Sequence, residues 1–269
     1  MRGTRTTGWR RIASALWPAP ADPQIFGALD IDAAPLREFL AEAASSHHHV
    51  TVTTLVGRAV AHALEQVPEM NVQIRGGRAI PRESIDVFFI TSVAAGTDLS
   101  GVKIEHVDQL AAIDVARELA AKSQRLKSGD DADFAKTKRI MDALPPRLLR
   151  LALHTGALVT QGLHKDVRTL GLRHNPFGSA MVSSIGTLGL PQGFAPLAWM
   201  YDVPLLTLVG ELVTKPVAVA GKVEVREILP ITATIDHRYA DGAQIGRLIR
   251  AFREYLEAPA VHEPRLMRQ

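Results

Sequence analysis

The stretch Asp236-His237-Arg238-Tyr239-Ala240-Asp241-Gly242 decides how this sequence is interpreted. It follows a β-branched segment, Val223 to Ile235, and precedes a helix that apolar spacing predicts from about Gly242 to Leu256. Loops at strand ends commonly carry function, and the ordinary pKa of histidine lies near neutrality, so His237 is a candidate general base. Gly242 would permit a turn conformation that other residues resist. Taken alone, a surface or capping histidine is the more common explanation.

A second segment, Val182-Ser183-Ser184-Ile185-Gly186, places two hydroxyls where a predicted strand, Ala180 to Ile185, runs into a turn. Hydroxyl groups in such a position can donate hydrogen bonds to a developing oxyanion. The plainer alternative is an ordinary strand end with turn-forming serines.

Strand and helix patterns alternate outward from these two segments. The sequence predicts an α/β (α+β) fold with a mixed β-sheet and covering helices, because some strand connections are hairpins and others contain helices. The predicted strands are Phe26–Ile31, Val72–Ile74, Arg78–Ile80, Ile85–Ala94, Ala180–Ile185, Leu205–Val213, Val217–Ala220 and Val223–Ile235. Helices are predicted after Pro35, after Thr51 and over Val107–Leu126. No repeat or low-complexity linker interrupts the chain, so we expect one domain over residues 1–269.

A basic, partly amphipathic region over about 129–176 interrupts this pattern as a helical insertion. Its apolar positions are typical of helices that cover the domain or form a subunit interface. The alternative is a surface for a partner or a membrane face.

The composition of the chain excludes several classes of function. The 269 residues include 31 basic and 28 acidic residues, a net charge of +3, and only 5% aromatics. A nucleic-acid surface usually clusters its positive charge, so nucleic acid is not an expected partner. Cysteine is absent, which excludes disulfides, thiolate zinc sites and a cysteine nucleophile. No segment reaches the length of a membrane span, and we expect a cytoplasmic protein.

No metal site is expected. The tandem histidines His47, His48 and His49 point in different directions if they end a helix, which makes them poor ligands for one metal ion.

Together the two segments resemble the catalytic domain of the dihydrolipoamide acyltransferases of 2-oxoacid dehydrogenase complexes, which are similar in fold to chloramphenicol acetyltransferase. That family carries a D-H-R-x-x-D-G signature and, a little over fifty residues earlier, a T-I-S-N/S-L/I-G segment. Here Ser183 and His237 are 54 residues apart. Further segments agree with the family's pattern: Trp9-Arg10-Arg11-Ile12-Ala13, Phe26 to Asp32, and Val67-Pro68-Glu69-Met70-Asn71.

The resemblance implies an acyltransferase with a two-layer fold that uses acyl-coenzyme A as substrate. His237 would deprotonate a thiol of coenzyme A or dihydrolipoamide, and Ser183 would stabilise the oxyanion. Asp241 would hold the local geometry through an ion pair with Arg10 or Arg11. The family's pattern does not distinguish between these two arginines. Ser184 and Gly242 are expected beside the substrate, and a lipoyl group would come only from another chain.

The resemblance also implies a homotrimer with active sites between subunits, with larger shells and contacts to other 2-oxoacid dehydrogenase components as further expectations. Several segments depart from the family's pattern. No lipoyl domain or peripheral-subunit-binding domain is recognisable, and the departing segments are Gly96 to Val102, Tyr201-Asp202-Val203-Pro204, the insertion, and the end of the chain from Glu263. The alternatives are therefore a catalytically weak or inactive trimeric scaffold or regulatory homologue without a lipoyl arm, and an antibiotic-type acetyltransferase that acts on a hydroxyl.

Overall fold

The computed structural model describes residues 22–75, 77–93, 98–128, 145, 147–148, 151, 155–156, 175–197 and 202–263. Its strands in chain order are β1 (Gln24–Asp32), β2 (Val72–Arg75), β3 (Arg78–Pro81), β4 (Val87–Val93), β5 (Asp98–Ile104), β6 (Ala180–Ser184), β7 (Leu205–Val209), β8 (Val213–Val219) and β9 (Lys222–Asp236). Its helices are α1 (Ala34–Ser45), α2 (Val52–Gln66), α3 (Ala112–Ser128), α4 (Gly242–Glu257) and the short α5 (Pro259–His262).

The main sheet is mixed, as the sequence predicts. Its strand order is β1-β9-β7-β6-β4-β5, and β8 pairs with β9 beyond the end of β1. The β4–β6 and β6–β7 pairs are parallel, whereas the other pairs are antiparallel. The β2–β3 hairpin forms a separate two-stranded sheet.

Helices cover one face of this sheet. The capping box at Thr51 fixes the start of α2, whose apolar residues from Leu55 to Leu64 are buried. They pack with Tyr255 and Leu256 of α4 into the main core. A smaller apolar cluster lies on the opposite face of the sheet, and among the described residues no helix longer than one turn covers it. No described helix is long and apolar enough to cross a membrane.

Several predicted boundaries are wrong. The segment predicted as one strand, Leu205 to Val213, divides into β7 and β8, because the Glu211 backbone N–H donates to the Leu190 carbonyl oxygen instead of pairing with β9. The turn predicted at Gly221-Lys222 lies one residue earlier, with φ of 47° at Ala220 and 80° at Gly221. The third helix begins at Ala112 rather than Val107, after a 3₁₀ turn.

A buried polar cluster anchors the end of the described chain to α2 and α3. The Glu263 carboxylate is 2% exposed and accepts hydrogen bonds from Arg58 Nε (3.1 Å), the Ala112 backbone N–H (2.8 Å) and the Tyr255 hydroxyl. Arg58 also donates to the Val107 carbonyl oxygen at 2.7 Å. The fold therefore supplies hydrogen-bond partners to both charged groups, as a buried ion pair requires.

Glu263→Ala is expected to lower the free energy of unfolding by about 3–5 kcal/mol, because it leaves the Arg58 guanidinium buried without its counter-charge. Urea unfolding followed by circular dichroism measures this loss. The matched control is Glu257→Ala, which removes the partner of Arg253 in an exposed pair and is expected to cost less than about 1 kcal/mol. Equal losses in the two variants would contradict the role given to Glu263.

His62 lies beside this cluster, and its burial is expected to make stability depend on pH. Its ring centroid is 4.8 Å from that of His262 and 5.5 Å from that of Tyr255. Burial lowers the pKa of His62 below 6.5, with a smaller contribution from His262. Of the charges around it, Arg58 lowers the pKa further, and the acidic groups of Glu65 and Glu254 oppose the shift.

The unfolded chain takes up a proton at the ordinary pKa of His62, and the folded chain does so only at lower pH. Stability is therefore expected to fall as pH decreases below about 6.5. Urea titrations at pH 7.5 and 5.5 measure the difference, and His62→Gln should make it smaller. An unchanged difference in that variant would show that another group is responsible.

Candidate functional site

His237 lies where β9 ends and α4 is about to begin. Its backbone N–H donates to the Pro23 carbonyl oxygen at 2.9 Å, which continues the β1–β9 ladder one residue beyond the strand. The side chain itself is exposed. A rigid sheet edge thus presents an accessible imidazole.

The hydrogen bonding of His237 determines which ring nitrogen is free. Its Nδ1 lies 2.7 Å from the Ala240 carbonyl oxygen. Because a carbonyl oxygen only accepts, the proton of the neutral ring sits on Nδ1, and the lone pair is on Nε2. This is the tautomer that a general base needs, and the bond also fixes the orientation of the ring.

The two residues that flank His237, Asp236 and Arg238, form an ion pair that holds the loop. Asp236 is 1% exposed, and both of its carboxylate oxygens accept from Arg238 Nε at 3.0 Å. Asp236 also accepts from the Arg238 backbone N–H at 2.9 Å and donates its own N–H to the Pro204 carbonyl oxygen. The hydrogen bond with Asp236 raises the pKa of Arg238. Sequence reasoning missed this pair, although the opposite charges that flank the histidine are a signal for it.

Asp241 caps the following helix. Its carboxylate accepts from the Ala243 backbone N–H at 2.8 Å, and Gln244 accepts from the Asp241 N–H at 3.0 Å. The expected partners Arg10 and Arg11 lie outside the described residues, so that ion pair stays a prediction. Gly242 is the first residue of α4 and is not in the left-handed region, so the special turn conformation expected of it is wrong. The chain enters α4 through Asp241, whose carboxylate caps the helix.

Ser183 and Ser184 end β6, and both are half-buried. The loop after them is held tightly, because a Cβ atom at Gly186 would lie 2.5 Å from the Gly210 carbonyl oxygen. Among the described residues the Ser183 hydroxyl has no hydrogen-bond partner, and the Ser184 carbonyl oxygen accepts from the Thr187 hydroxyl. The two serines are thus fixed at a sheet end, and no described group occupies the Ser183 hydroxyl.

The strand register keeps Ser183 and His237 apart within one chain. Ser183 lies level with Leu208 of β7, which lies level with Thr232 of β9. His237 is five residues further along, a rise of about 16 Å, and two strand spacings add about 10 Å. A single chain does not bring the two side chains together.

Ser183 lies on the face of the sheet opposite the main core. Ala180 and Val182 face the main core, whereas Met181 packs in the smaller cluster on the other face, so alternation places Ser183 on that other face. A partner for Ser183 therefore has to approach this face, on which no described helix longer than one turn lies.

The same face carries exposed aromatic side chains. Phe26 is 58% exposed, and its ring packs edge-on against Phe194 with a centroid distance of 5.4 Å. Leu188 and Leu190, from the loop after Ser184, are also exposed. An exposed apolar patch of this kind is typical of a protein interface.

Within the described part of the chain, no three histidine, aspartate or glutamate side chains gather into a metal-binding group.

A family model described as 2-oxoacid dehydrogenases acyltransferase (catalytic domain) matches residues 5–132 and 148–262. The matched ranges contain every predicted site residue. The break in the match lies inside the predicted insertion over 129–176, most of which falls outside the described residues, so the insertion stays a prediction.

A relative in sequence is the dihydrolipoyllysine-residue acetyltransferase component of the acetoin cleaving system of Bacillus subtilis strain 168, at 24% identity over 212 residues. The match covers 78% of this chain and 42% of that protein, so the chain spans less than half of the relative's length.

Two solved structures support the fold. One is the cubic core of a pyruvate dehydrogenase multienzyme complex, with a TM-score of 0.65, 19% identity, and coverage of 97% of this chain and 93% of the other. The second is the Azotobacter vinelandii dihydrolipoamide acetyltransferase, investigated for a serine, a histidine and an asparagine in its catalytic mechanism; its TM-score is 0.64 at 19% identity, with the same coverage. The predicted mixed-sheet fold with covering helices is confirmed.

Proposed function

The chain belongs to the family of 2-oxoacid dehydrogenase acyltransferase catalytic domains, and from this premise we propose that it moves an acyl group between coenzyme A and a dihydrolipoamide-type thiol. The observation that carries the proposal is the bond from His237 Nδ1 to the Ala240 carbonyl oxygen, which leaves Nε2 able to accept a proton. The two relatives named as acetyltransferases support the reaction class.

The proposed reaction needs one base and one hydrogen-bond donor. His237 Nε2 takes the proton of the attacking thiol, and the thiolate adds to the carbonyl carbon of the acyl thioester. Ser183 donates to the oxyanion of the tetrahedral intermediate. When the intermediate collapses, the carbon–sulfur bond of the original thioester breaks, and the departing thiolate receives the proton from the His237 imidazolium.

The proposed reaction needs an assembly, because the strand register keeps Ser183 and His237 of one chain far apart. We propose a homotrimer in which His237 of one protomer meets Ser183 of the next across the exposed patch around Phe26 and Phe194. A closed ring of identical subunits places one such pair at each interface. A larger shell is a further proposal, by analogy with the cubic core found for one structural neighbour.

The partners follow from the same chemistry. Coenzyme A is a substrate, and a lipoyl group would be presented by another chain, such as a further 2-oxoacid dehydrogenase component. The basic region over 129–176 is a candidate surface for such a partner. A cytoplasmic location suits the proposal, because that compartment keeps a dithiol reduced.

The decisive experiment measures coenzyme A release from acetyl-CoA by the full chain with and without dihydrolipoamide. Release that depends on the dithiol is expected. Release with a hydroxyl acceptor such as chloramphenicol, and not with the dithiol, would favour an antibiotic-type acetyltransferase. No release with either would leave the scaffold homologue as the better account. Light scattering on the same sample gives the number of protomers.

A further inference from the structure

Arg82, which follows strand β3, joins three segments that are distant from one another in the sequence. Its Nε donates to the Val72 carbonyl oxygen at 3.2 Å, its Nη1 to the Asn175 side-chain oxygen at 2.5 Å, and its Nη2 to the Asp202 carbonyl oxygen at 2.6 Å. Val72 begins β2, and Asp202 lies just before β7. Because the guanidinium donors form a rigid planar fork, Arg82 holds these three acceptors in one arrangement.

The Asp202 segment connects Arg82 to the loop that carries His237. Asp202 has a φ of 55°, in a region that few residues other than glycine adopt, and such a backbone persists only where its surroundings hold it. The bond from Arg82 provides this hold. Two residues later, the Pro204 carbonyl oxygen accepts from the Asp236 backbone N–H at 2.9 Å. Arg82 is thus linked to the residue immediately before His237.

Tyr239 provides a second connection, on the other side of His237. Its side chain is 7% exposed, although His237 and Arg238 are both exposed. Burial raises the pKa of Tyr239 to about 12, with a smaller contribution from Asp202, and Arg82 is among the groups that oppose the shift. The phenol is therefore neutral near pH 7 and lies within electrostatic reach of Asp202 and Arg82.

These two connections determine the position of the group that orients the imidazole. The Tyr239 backbone N–H donates to the Asp236 carbonyl oxygen at 3.0 Å and closes the turn around His237. Ala240 follows directly, and its carbonyl oxygen lies 2.7 Å from His237 Nδ1. A displacement of Asp236 or Tyr239 would therefore move this carbonyl oxygen relative to the ring.

We propose that Arg82 is a positioning residue for His237. Through Asp202 and the turn from Asp236 to Tyr239, it keeps the Ala240 carbonyl oxygen in place, so that Nδ1 carries the proton and Nε2 the lone pair. The proposal rests on the proposed acyl transfer and adds to it a residue that the sequence does not single out. A displacement of about 1 Å in a catalytic geometry can cost about 100-fold in rate, so the loss of Arg82 should be visible in kcat.

The test compares the full chain with its Arg82→Met and Arg82→Lys variants. Methionine keeps an unbranched side chain and loses every donor, whereas lysine keeps the positive charge without the planar fork. The control Arg78→Met removes an exposed arginine from the same β2–β3 hairpin. Acyl transfer from acetyl-CoA to dihydrolipoamide gives kcat and KM for each protein.

A second measurement reports on the His237 ring without turnover. The chain has 10 histidines, so nitrogen-15 labelling of histidine gives a small set of ring signals in magnetic resonance spectra. The signals absent from a His237→Gln variant identify those of His237. At about pH 8, where an ordinary histidine is neutral, the nitrogen shifts distinguish the nitrogen that carries the proton from the one that carries the lone pair.

Both Arg82 variants are expected to lower kcat by about 10- to 100-fold and to leave KM within about twofold of the wild type. In both, part of the His237 population should carry its proton on Nε2, whereas the wild type should carry it on Nδ1. Arg78→Met should match the wild type in kcat and in the ring signals.

A wild-type proton distribution on His237 in both Arg82 variants overturns the proposal. So does a wild-type kcat in Arg82→Lys, because charge alone would then be sufficient. If Arg82→Met does not fold, Arg82→Lys decides between these outcomes. A changed proton distribution in the variants, with no coenzyme A release by the wild type, would support the positioning role and contradict the proposed acyl transfer.

Discussion

Replacing His237 by alanine is expected to lower kcat/KM for acyl transfer to dihydrolipoamide by about 10²- to 10⁴-fold, the usual contribution of a positioned general base. The imidazole is exposed, and its Nδ1 is occupied by the Ala240 carbonyl oxygen, so Nε2 is the only ring nitrogen left to take the thiol proton. Coenzyme A release measured at saturating dithiol and varied acetyl-CoA quantifies the loss.

The loss in His237→Ala should be chemical rather than structural. The imidazole makes one hydrogen bond with the described residues, so its removal should change the free energy of unfolding by about 1 kcal/mol or less. The matched control is His49→Ala, which removes an exposed histidine between α1 and α2. The assignment of His237 as the base fails if the two variants turn over acetyl-CoA at similar rates.

The β9–loop–α4 unit was predictable because three local signals agree. β-branched residues favour the strand, Asp241 has a side chain suited to a helix N-cap, and the apolar spacing after Gly242 has the helical period. The hairpin at Arg78 and the capped helix after Thr51 were predicted for the same kind of reason. Each of these features is decided by residues close together in the chain.

Features that depend on distant residues were not predictable. No strand was predicted over residues 98–104, where the sequence departs from the family's pattern, and Asp98 and Gly101 have low strand propensity. Strand β5 forms there because β4, which is apolar and buried, offers it an antiparallel edge, with Ser100 level with Thr91. Tertiary pairing overrides the local preference there.

The site shows the same division between local and distant information. The identity of His237 and Ser183 as candidates came from local sequence, but their separation depends on a register that runs through β7. The choice of Ala240 as the partner of Nδ1 depends on the path of the loop, which the Asp236–Arg238 pair fixes. The sequence showed the opposite charges, and only the fold shows that they meet.

Replacing Ser183 by alanine is expected to lower kcat by about 10²- to 10³-fold, the cost of losing one oxyanion donor. Binding of acetyl-CoA should change little, because the hydrogen bond is made to charge that develops during the reaction. Ser45→Ala, which removes an exposed hydroxyl at the end of α1, is the matched control and should keep the wild-type kcat. A fall in affinity with unchanged kcat would contradict the oxyanion role.

The strand register, which separates Ser183 from His237 within one chain, also predicts the activity of a mixture of the two inactive variants. If His237 and Ser183 meet only between protomers, each interface of a mixed assembly is intact when a Ser183→Ala chain supplies the histidine and a His237→Ala chain supplies the serine. In a trimer that contains both variants one of the three interfaces has this order, so about one third of the sites are restored. Co-expressing the variants with different tags and purifying through both should therefore recover activity far above either parent. Sites built within single chains would stay inactive in the mixture, because each chain would still lack one of the two groups.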